Sequence, residues 1–204
     1  MTRESWRSTV ILIAALVGAL HYLPARPADA YDAEAGRKKA EEACAGCHGP
    51  DGNSETAEVP SLAGQQPRYI ILALFQLRAG HRKSEQMAPF AAGLTDEDLG
   101  NLSAYYSAQK PTPPTRSVDP QQVAAARRLA DADHCTQCHG PDLAGQEHIP
   151  RLAGQHYEYL KQQLSGFKAG TRGDIDGNMT SAAQPLSDAD INILAEYIPS
   201  LSTP

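Results

Sequence analysis

The chain is poor in the residues from which large apolar cores are usually built. Its 204 residues include one tryptophan, Trp6, three phenylalanines and three methionines. Beyond residue 30 no segment approaches the roughly 20 consecutive apolar residues that a membrane-spanning helix needs. Positive charge is also scarce, with 18 Lys and Arg against 24 Asp and Glu. Setting aside Arg3, Arg7, Arg26, Glu4 and Asp29 leaves 15 basic and 22 acidic residues from Tyr31 onward. That balance argues against nucleic acid or an anionic lipid surface as a partner, and suits a partner with a basic docking patch.

The cysteines are few and patterned. All four fall in two copies of Cys-x-x-Cys-His: Cys44-Ala45-Gly46-Cys47-His48 and Cys135-Thr136-Gln137-Cys138-His139, 91 residues apart. This is the attachment signature of c-type haem. Two thiols form thioethers to the porphyrin, and the adjacent histidine reaches the iron. Disulfides, a redox dithiol and a zinc site all compete for such cysteines. Ribbon-type zinc sites place their pairs about 15–20 residues apart, and none of the three alternatives needs the histidine. The expectation is two covalently bound haem c groups, with His48 and His139 as axial ligands.

The methionines point the same way. Apart from Met1 there are only Met87 and Met179, which follow His48 by 39 residues and His139 by 40. A thioether opposite a histidine favours ferrous iron and raises the reduction potential. A lone methionine is more often a core filler, but the matched spacing makes Met87 and Met179 the expected second axial ligands. Rival histidines fit less well. His134 and His148 lie too close in sequence to the first ligand, His156 begins a predicted helix, and His81 corresponds to Thr171 in the other half.

Residues 1–30 read as a secretory signal. Arg3 and Arg7 precede an apolar stretch of 13 residues, Ser8 to Leu20, and Ala28-Asp29-Ala30 has the small-x-small form of a cleavage site. His21 and Pro24 interrupt the stretch and argue against an anchor. Export to the periplasm is the expectation.

The rest is a tandem duplication. Gly49-Pro50-Asp51 matches Gly140-Pro141-Asp142, and Pro60-Ser61-Leu62-Ala63-Gly64-Gln65 matches Pro150-Arg151-Leu152-Ala153-Gly154-Gln155. Ala79-Gly80 and Arg82 match Ala169-Gly170 and Arg172, and Leu94-Thr95-Asp96 matches Leu186-Ser187-Asp188. The expected division is domain 1 at 31–110, a Pro-rich linker at 111–120 and domain 2 at 121–204. Domains of about 80 residues are marginal alone; covalent haem would supply much of each core. Each half reads as all-α. Helices are expected at Ala33 to Ala43 and Gln121 to Asp133 before the haem motifs. A second pair, at Pro67 to Ala79 and Tyr157 to Ala169, is stopped by Gly80 and Gly170. A last helix in each half starts at a capping box, Thr95 with Asp98 and Ser187 with Asp190. The methionine segments, Lys83 to Gly93 and Gly173 to Pro185, show no periodicity and read as loops.

With these motifs together, the sequence resembles the cytochrome c4 family, di-haem proteins made of two class I cytochrome c domains. The likeness covers essentially the whole chain after the signal. It implies an electron carrier, often loosely membrane-associated, that passes single electrons towards a terminal oxidase and has no substrate site of its own. It also implies that the carbonyls of Pro60 and Pro150 accept the second N–H of each proximal histidine. Gln65, Gln155, Arg82 and Arg172 would contact propionates or the domain interface. Both halves are acidic, so charge does not say which domain meets the donor. A di-haem cytochrome subunit of a larger oxidoreductase, such as a flavocytochrome c sulfide dehydrogenase, would look much the same. A di-haem peroxidase would need an open iron position and a distal His/Arg set, which this sequence does not display.

Overall fold

A computed structural model describes residues 30–114 and 118–201. The signal segment therefore lies outside the described residues except for Ala30, as do residues 115–117 of the linker and 202–204 at the C-terminus. Among the described residues the fold is all-α, and the only β-type pairing is an isolated bridge between Gln146 and Ile149. None of the described helices is long and apolar enough to cross a membrane.

Domain 1 contains α1 (Ala33–Ala43), α2 (Ala45–His48), α3 (Pro67–Arg78), α4 (Ala88–Ala91) and α5 (Asp96–Ser107). Domain 2 repeats the order with α6 (Pro120–Ala132), α7 (Cys135–His139), α8 (Tyr157–Lys168), α9 (Asn178–Ala183) and α10 (Asp188–Tyr197), followed by a 3-10 turn at Ile198–Ser200. In domain 1 the first helix packs on the last, as does α3; in domain 2 α10 packs on α6 and α8. This brings Cys135 and Met179 to one small core in domain 2, and Cys44 to the core of domain 1.

Local chemistry sets the helix ends. Asp32 accepts from the amides of Glu34 (2.8 Å) and Ala35 (3.1 Å), and Asp119 accepts from Gln121 (2.8 Å). Each such cap satisfies donors the helix cannot, contributing about 1 kcal/mol. Pro67 and Pro120 occupy first-turn positions, where a missing N–H costs nothing. The capping boxes at Thr95/Asp98 and Ser187/Asp190 are both formed. Gly80 and Gly170 adopt φ values of 73° and 68°. Beyond them the chain turns back, so that Arg82 N–H donates to Gln76 O (3.0 Å) and Arg172 N–H to Gly166 O (3.1 Å).

The cores are modest. Domain 1 clusters Ala40, Ile70, Leu102, Tyr105 and Tyr106, with Cys44 packed against it. Domain 2 clusters Leu143, Leu160, Phe167, Ile191, Leu194 and others, with Cys135 and Met179 packed against it. The methionine segments depart from the loop expectation: α4 begins directly after Met87, and α9 contains Met179. Helices of four and six residues are too short to leave a periodic apolar signal.

The linker is anchored at its start. Asn53 donates from Nδ2 to Lys110 O (3.0 Å) and accepts at Oδ1 from Thr112 N–H (2.7 Å). The domains also meet directly. Gln66 Nε2 donates to Ala144 O (3.0 Å), His156 Nε2 to Ser54 O (2.8 Å) and Tyr159 N–H to Ala57 O (3.3 Å). Arg68 pairs with Glu147.

Candidate functional site: two histidine–cysteine turns and their supports

Each Cys-x-x-Cys-His forms a single helical turn. Cys44 caps α2, and the amides of Cys47 (3.2 Å) and His48 (3.0 Å) both donate to its carbonyl. Residues at i, i+3 and i+4 share one helical face, so the turn gathers both thiols and the imidazole on one side. In domain 2 the turn is entered through His134, whose φ is 60°; histidine is among the few non-glycine residues enriched there.

No disulfide joins any of the four cysteines, and Cys44 and Cys135 are partly buried while Cys47 and Cys138 are exposed. Burial pushes the thiols of Cys44 and Cys135 up from their ordinary pKa. Among the described residues no group of three or more His, Cys, Asp or Glu side chains could hold a metal ion. The two Cys-x-x-Cys pairs thus do not assemble a shared zinc site.

The histidines are the most sheltered parts of the site, with His48 6% exposed and His139 4%. Burial lowers the pKa of both rings against the opposing effect of a backbone hydrogen bond. That bond runs from Nδ1 to Pro60 O (2.9 Å) in domain 1 and to Pro150 O (2.8 Å) in domain 2. With Nδ1–H donating to a carbonyl, the ring is the tautomer that keeps a lone pair on Nε2, the nitrogen able to bind a metal. The proline loops are braced alike. Gly52 O accepts from Leu62 (2.6 Å) and Ala63 (3.1 Å), and Leu143 O from Leu152 (2.8 Å) and Ala153 (3.1 Å).

The methionine segments are held differently. Met87 N–H donates to Ser84 Oγ (3.2 Å). In domain 2 the Asp174 carboxylate accepts from Met179 N–H (2.7 Å), Thr180 N–H (3.2 Å) and Thr180 Oγ1 (2.7 Å). Burial would raise the pKa of Asp174, but these donors, led by the Thr180 hydroxyl, hold it low. Neither Ser84 nor Asp174 stood out in the sequence, because they precede their methionines by three and five residues and so do not repeat between the halves. His81 is exposed, as befits a surface residue.

The interface contains cations without counter-charges. Arg151 is 4% exposed; it donates to Ala63 O (2.8 Å) and Ala153 O, its Nε has no partner, and burial lowers its pKa to about 10. Arg82 reaches across to Tyr159 OH (3.0 Å) and Gln163 Oε1 (3.3 Å). Arg172 also meets Gln163, stacks 4.3 Å over the Phe167 ring and leaves Nε unpaired. Burial would raise the pKa of the Tyr159 hydroxyl; Arg82 and Arg172 beside it bring it down. Among the described residues none of these three guanidiniums has a carboxylate partner. A buried cation is costly unless paired. A buried Arg151 and half-buried Arg82 and Arg172, none of them with a carboxylate partner, together with paired thiols and a pre-set histidine suit a group carrying vinyls, an iron and carboxylates, which is haem.

Two all-α domains, each with a Cys-x-x-Cys-His turn around a buried histidine, define a di-haem c-type cytochrome. A family model described as Cytochrome c matches residues 111–202, and one described as Cytochrome C oxidase, cbb3-type, subunit III matches residues 31–105. The cytochrome c4 of Thiocapsa roseopersicina is 40% identical over 182 residues, spanning 84% of this chain and 93% of that protein. The crystal structure of reduced recombinant cytochrome c4 from Pseudomonas stutzeri superposes with a TM-score of 0.77 at 36% identity, covering 84% of this chain and all of that one. A thiosulfate dehydrogenase electron acceptor of Stutzerimonas stutzeri is 34% identical over 80% of this chain and 81% of its own length. The chain belongs to the cytochrome c4 family. It is a di-haem electron-transfer protein with two covalently bound haem c groups, and its family are carriers rather than enzymes.

Proposed function

We propose that the chain works in the periplasm, after removal of residues 1–30, as a carrier of single electrons between a respiratory donor and a terminal oxidase. Bound haem supplies one-electron exchange between ferric and ferrous iron. In domain 1, Cys44 and Cys47 hold it covalently while His48 and Met87 bind the iron. In domain 2, Cys138 and Cys135 do the same with His139 and Met179. The Pro60 and Pro150 carbonyls orient the imidazoles and raise their basicity. Arg82, Arg151 and Arg172 take up haem carboxylates near the interface, supplying the counter-charges that the described protein groups do not. Ligation by a histidine and a methionine would leave no iron position open to a substrate. The observation that carries this reading is the duplicated turn, with each buried histidine already fixed through Nδ1 to a proline carbonyl.

A second reading draws on the similarity to a thiosulfate dehydrogenase electron acceptor: the donor would be a sulfur-oxidising dehydrogenase, and this chain its dedicated acceptor. The haem sites would be built alike in both cases. Purification of the native protein separates them, since a dedicated acceptor would travel with a catalytic subunit.

Ligation is tested by Met87→Ala and Met179→Ala. Each variant should keep two haems per chain, open one iron and lower one of the two potentials. A variant with an unchanged spectrum and unchanged potentials would remove that methionine from the ligand set.

A further inference from the structure

The peptide group that accepts the proton of each proximal histidine is itself gripped by a glutamine of the other domain. Pro60 O takes the His48 Nδ1–H bond, and the N–H of the same peptide, on Ser61, donates to Gln155 Oε1 at 2.9 Å. Gln155 Nε2 returns a bond to Ser61 O at 2.9 Å. The mirror arrangement holds in domain 2. Pro150 O takes the His139 bond, Arg151 N–H donates to Gln65 Oε1 at 2.7 Å, and Gln65 Nε2 donates to Arg151 O at 3.0 Å. Both glutamines are 4% exposed.

Their orientation is chemically determined. Gln65 Oε1 also accepts from Gln66 N–H (2.9 Å), and Gln155 Oε1 from His156 N–H (3.0 Å). Exchanging amide O for N would set donors against donors, so the network fixes which end faces the peptide. A peptide group is one conjugated unit. A hydrogen bond at its N–H polarises its C=O and makes that oxygen a stronger acceptor. A stronger acceptor draws the histidine Nδ1 proton further and makes Nε2 a better donor to iron, which favours the ferric state.

We propose that Gln155 and Gln65 are positioning residues that tune the haem of the opposite domain, through the chains His48–Pro60/Ser61–Gln155 and His139–Pro150/Arg151–Gln65. Each potential then depends on the other domain being docked. Parting the domains would raise both, making the interface part of the redox site rather than only a brace. The inference rests on the reading of His48 and His139 as axial ligands.

The test uses full-length holoprotein carrying Gln155→Met or Gln65→Met, near-isosteres that remove both amide bonds. The two potentials are read separately by NMR-monitored redox titration, with haem methyl lines assigned to each domain. Gln155→Met should raise the potential of the haem held by the domain of His48, changing its ferric-to-ferrous ratio about threefold at fixed applied potential. The other haem should move less than half as much. Gln65→Met should give the mirror result. A shift confined to the substituted glutamine's own domain, an equal shift of both haems, or no shift would overturn the proposal. Should Gln155→Met part the domains, as faster amide exchange at Arg151 and Tyr159, whose N–H groups cross the interface to Gln65 Oε1 and Ala57 O, would reveal, Gln155→Glu decides. Its ionised form is a stronger acceptor and should lower the potential of the domain 1 haem selectively; equal lowering of both would be a bulk charge effect and would refute the relay. Failure of the underlying reading has a different signature. In that case His48→Ala or His139→Ala would leave low-spin spectra intact, whereas failure of the relay leaves ligation by histidine intact and only the crossed pattern missing.

Discussion

Gly36 is the place where adding one methyl group has the most calculable consequence. It lies in α1 where that helix crosses α5, and both Gly36 and the neighbouring Ala40 are buried. A Cβ at position 36 would stand 2.0 Å from Asn101 O, 2.5 Å from Asn101 C and 3.0 Å from Tyr105 Cβ. Two of those atoms are backbone, so no rotamer change relieves them. A carbon normally approaches a carbonyl oxygen no closer than about 3.3 Å, so the two helices must separate by more than about 1 Å. A gap of that size forfeits a quarter to a half of each dispersion contact across it. Leu102, 1% exposed at this junction, makes about 40–60 such contacts at about 0.1–0.2 kcal/mol each. With about half of those contacts facing across the gap, its loss alone is about 0.5–3 kcal/mol, and the rest of the junction adds to it. Alanine's helix propensity returns about 1 kcal/mol. The net expectation for Gly36→Ala is destabilisation by about 2–3 kcal/mol, or at least about 10 °C in the transition of a domain this size. Domain 2 supplies the control, because Ala126 and Ala130 are the buried pair on α6. There Ala126→Gly should cost only about 1–2 kcal/mol, through propensity and a small cavity. Denaturant unfolding of the holoprotein, followed at the haem absorbance and by amide exchange in α1 and α5, measures both. Stabilisation of Gly36→Ala by about 1 kcal/mol, as propensity alone demands, would refute the close-crossing account.

Two further outcomes follow from the supports of the site. Asp174→Ala removes three acceptor contacts around Met179, whereas Ser84→Ala removes one at Met87; with Met179 and Met87 binding iron as proposed, the first should speed cyanide displacement of methionine in domain 2 by about tenfold, equivalent to about 1.4 kcal/mol, and the second by less, as stopped-flow absorbance would show. Burial tends to raise the pKa of Asp98, but the Thr95 amide and hydroxyl keep it below its ordinary value, and the Ser187 hydroxyl and amide do the same for Asp190. A depressed folded-state pKa adds stability in full above the unfolded value of 3.8 and loses it as pH falls through the folded value. Urea midpoints should therefore drop below about pH 4, and the double variant Asp98→Asn, Asp190→Asn should flatten that slope; an unchanged slope would remove the caps from acid denaturation.

Much of the fold was readable from local chemistry. The glycine stops at Gly80 and Gly170, the prolines opening α3 and the capping boxes all act within four residues, so they leave their mark in the chain. The helices Ala33–Ala43 and Pro67–Arg78 were placed to within a residue for that reason. The candidate site was legible where function forces a fixed spacing: Cys-x-x-Cys-His needs one helical turn to put thiols and imidazole on one face. The family resemblance likewise pointed at Pro60 and Pro150, whose carbonyls stand beside the two histidines. Contacts between residues about 90 positions apart were not legible in detail. Gln65 and Gln155 repeat in the sequence, yet nothing there tells that each binds the other half rather than its own. The Pro-rich linker marked only the division between the domains; the structure adds a hydrogen-bonded interface that joins them directly.

The central proposal is that a histidine and a methionine would close each iron, leaving this carrier no site for substrate. The most direct test is the optical spectrum of the dithionite-reduced holoprotein, with two haems per chain, before and after addition of carbon monoxide. An unchanged spectrum over minutes is the result the proposed ligation predicts. Rapid carbon monoxide binding at either haem would contradict it and assign that domain an open, reactive iron.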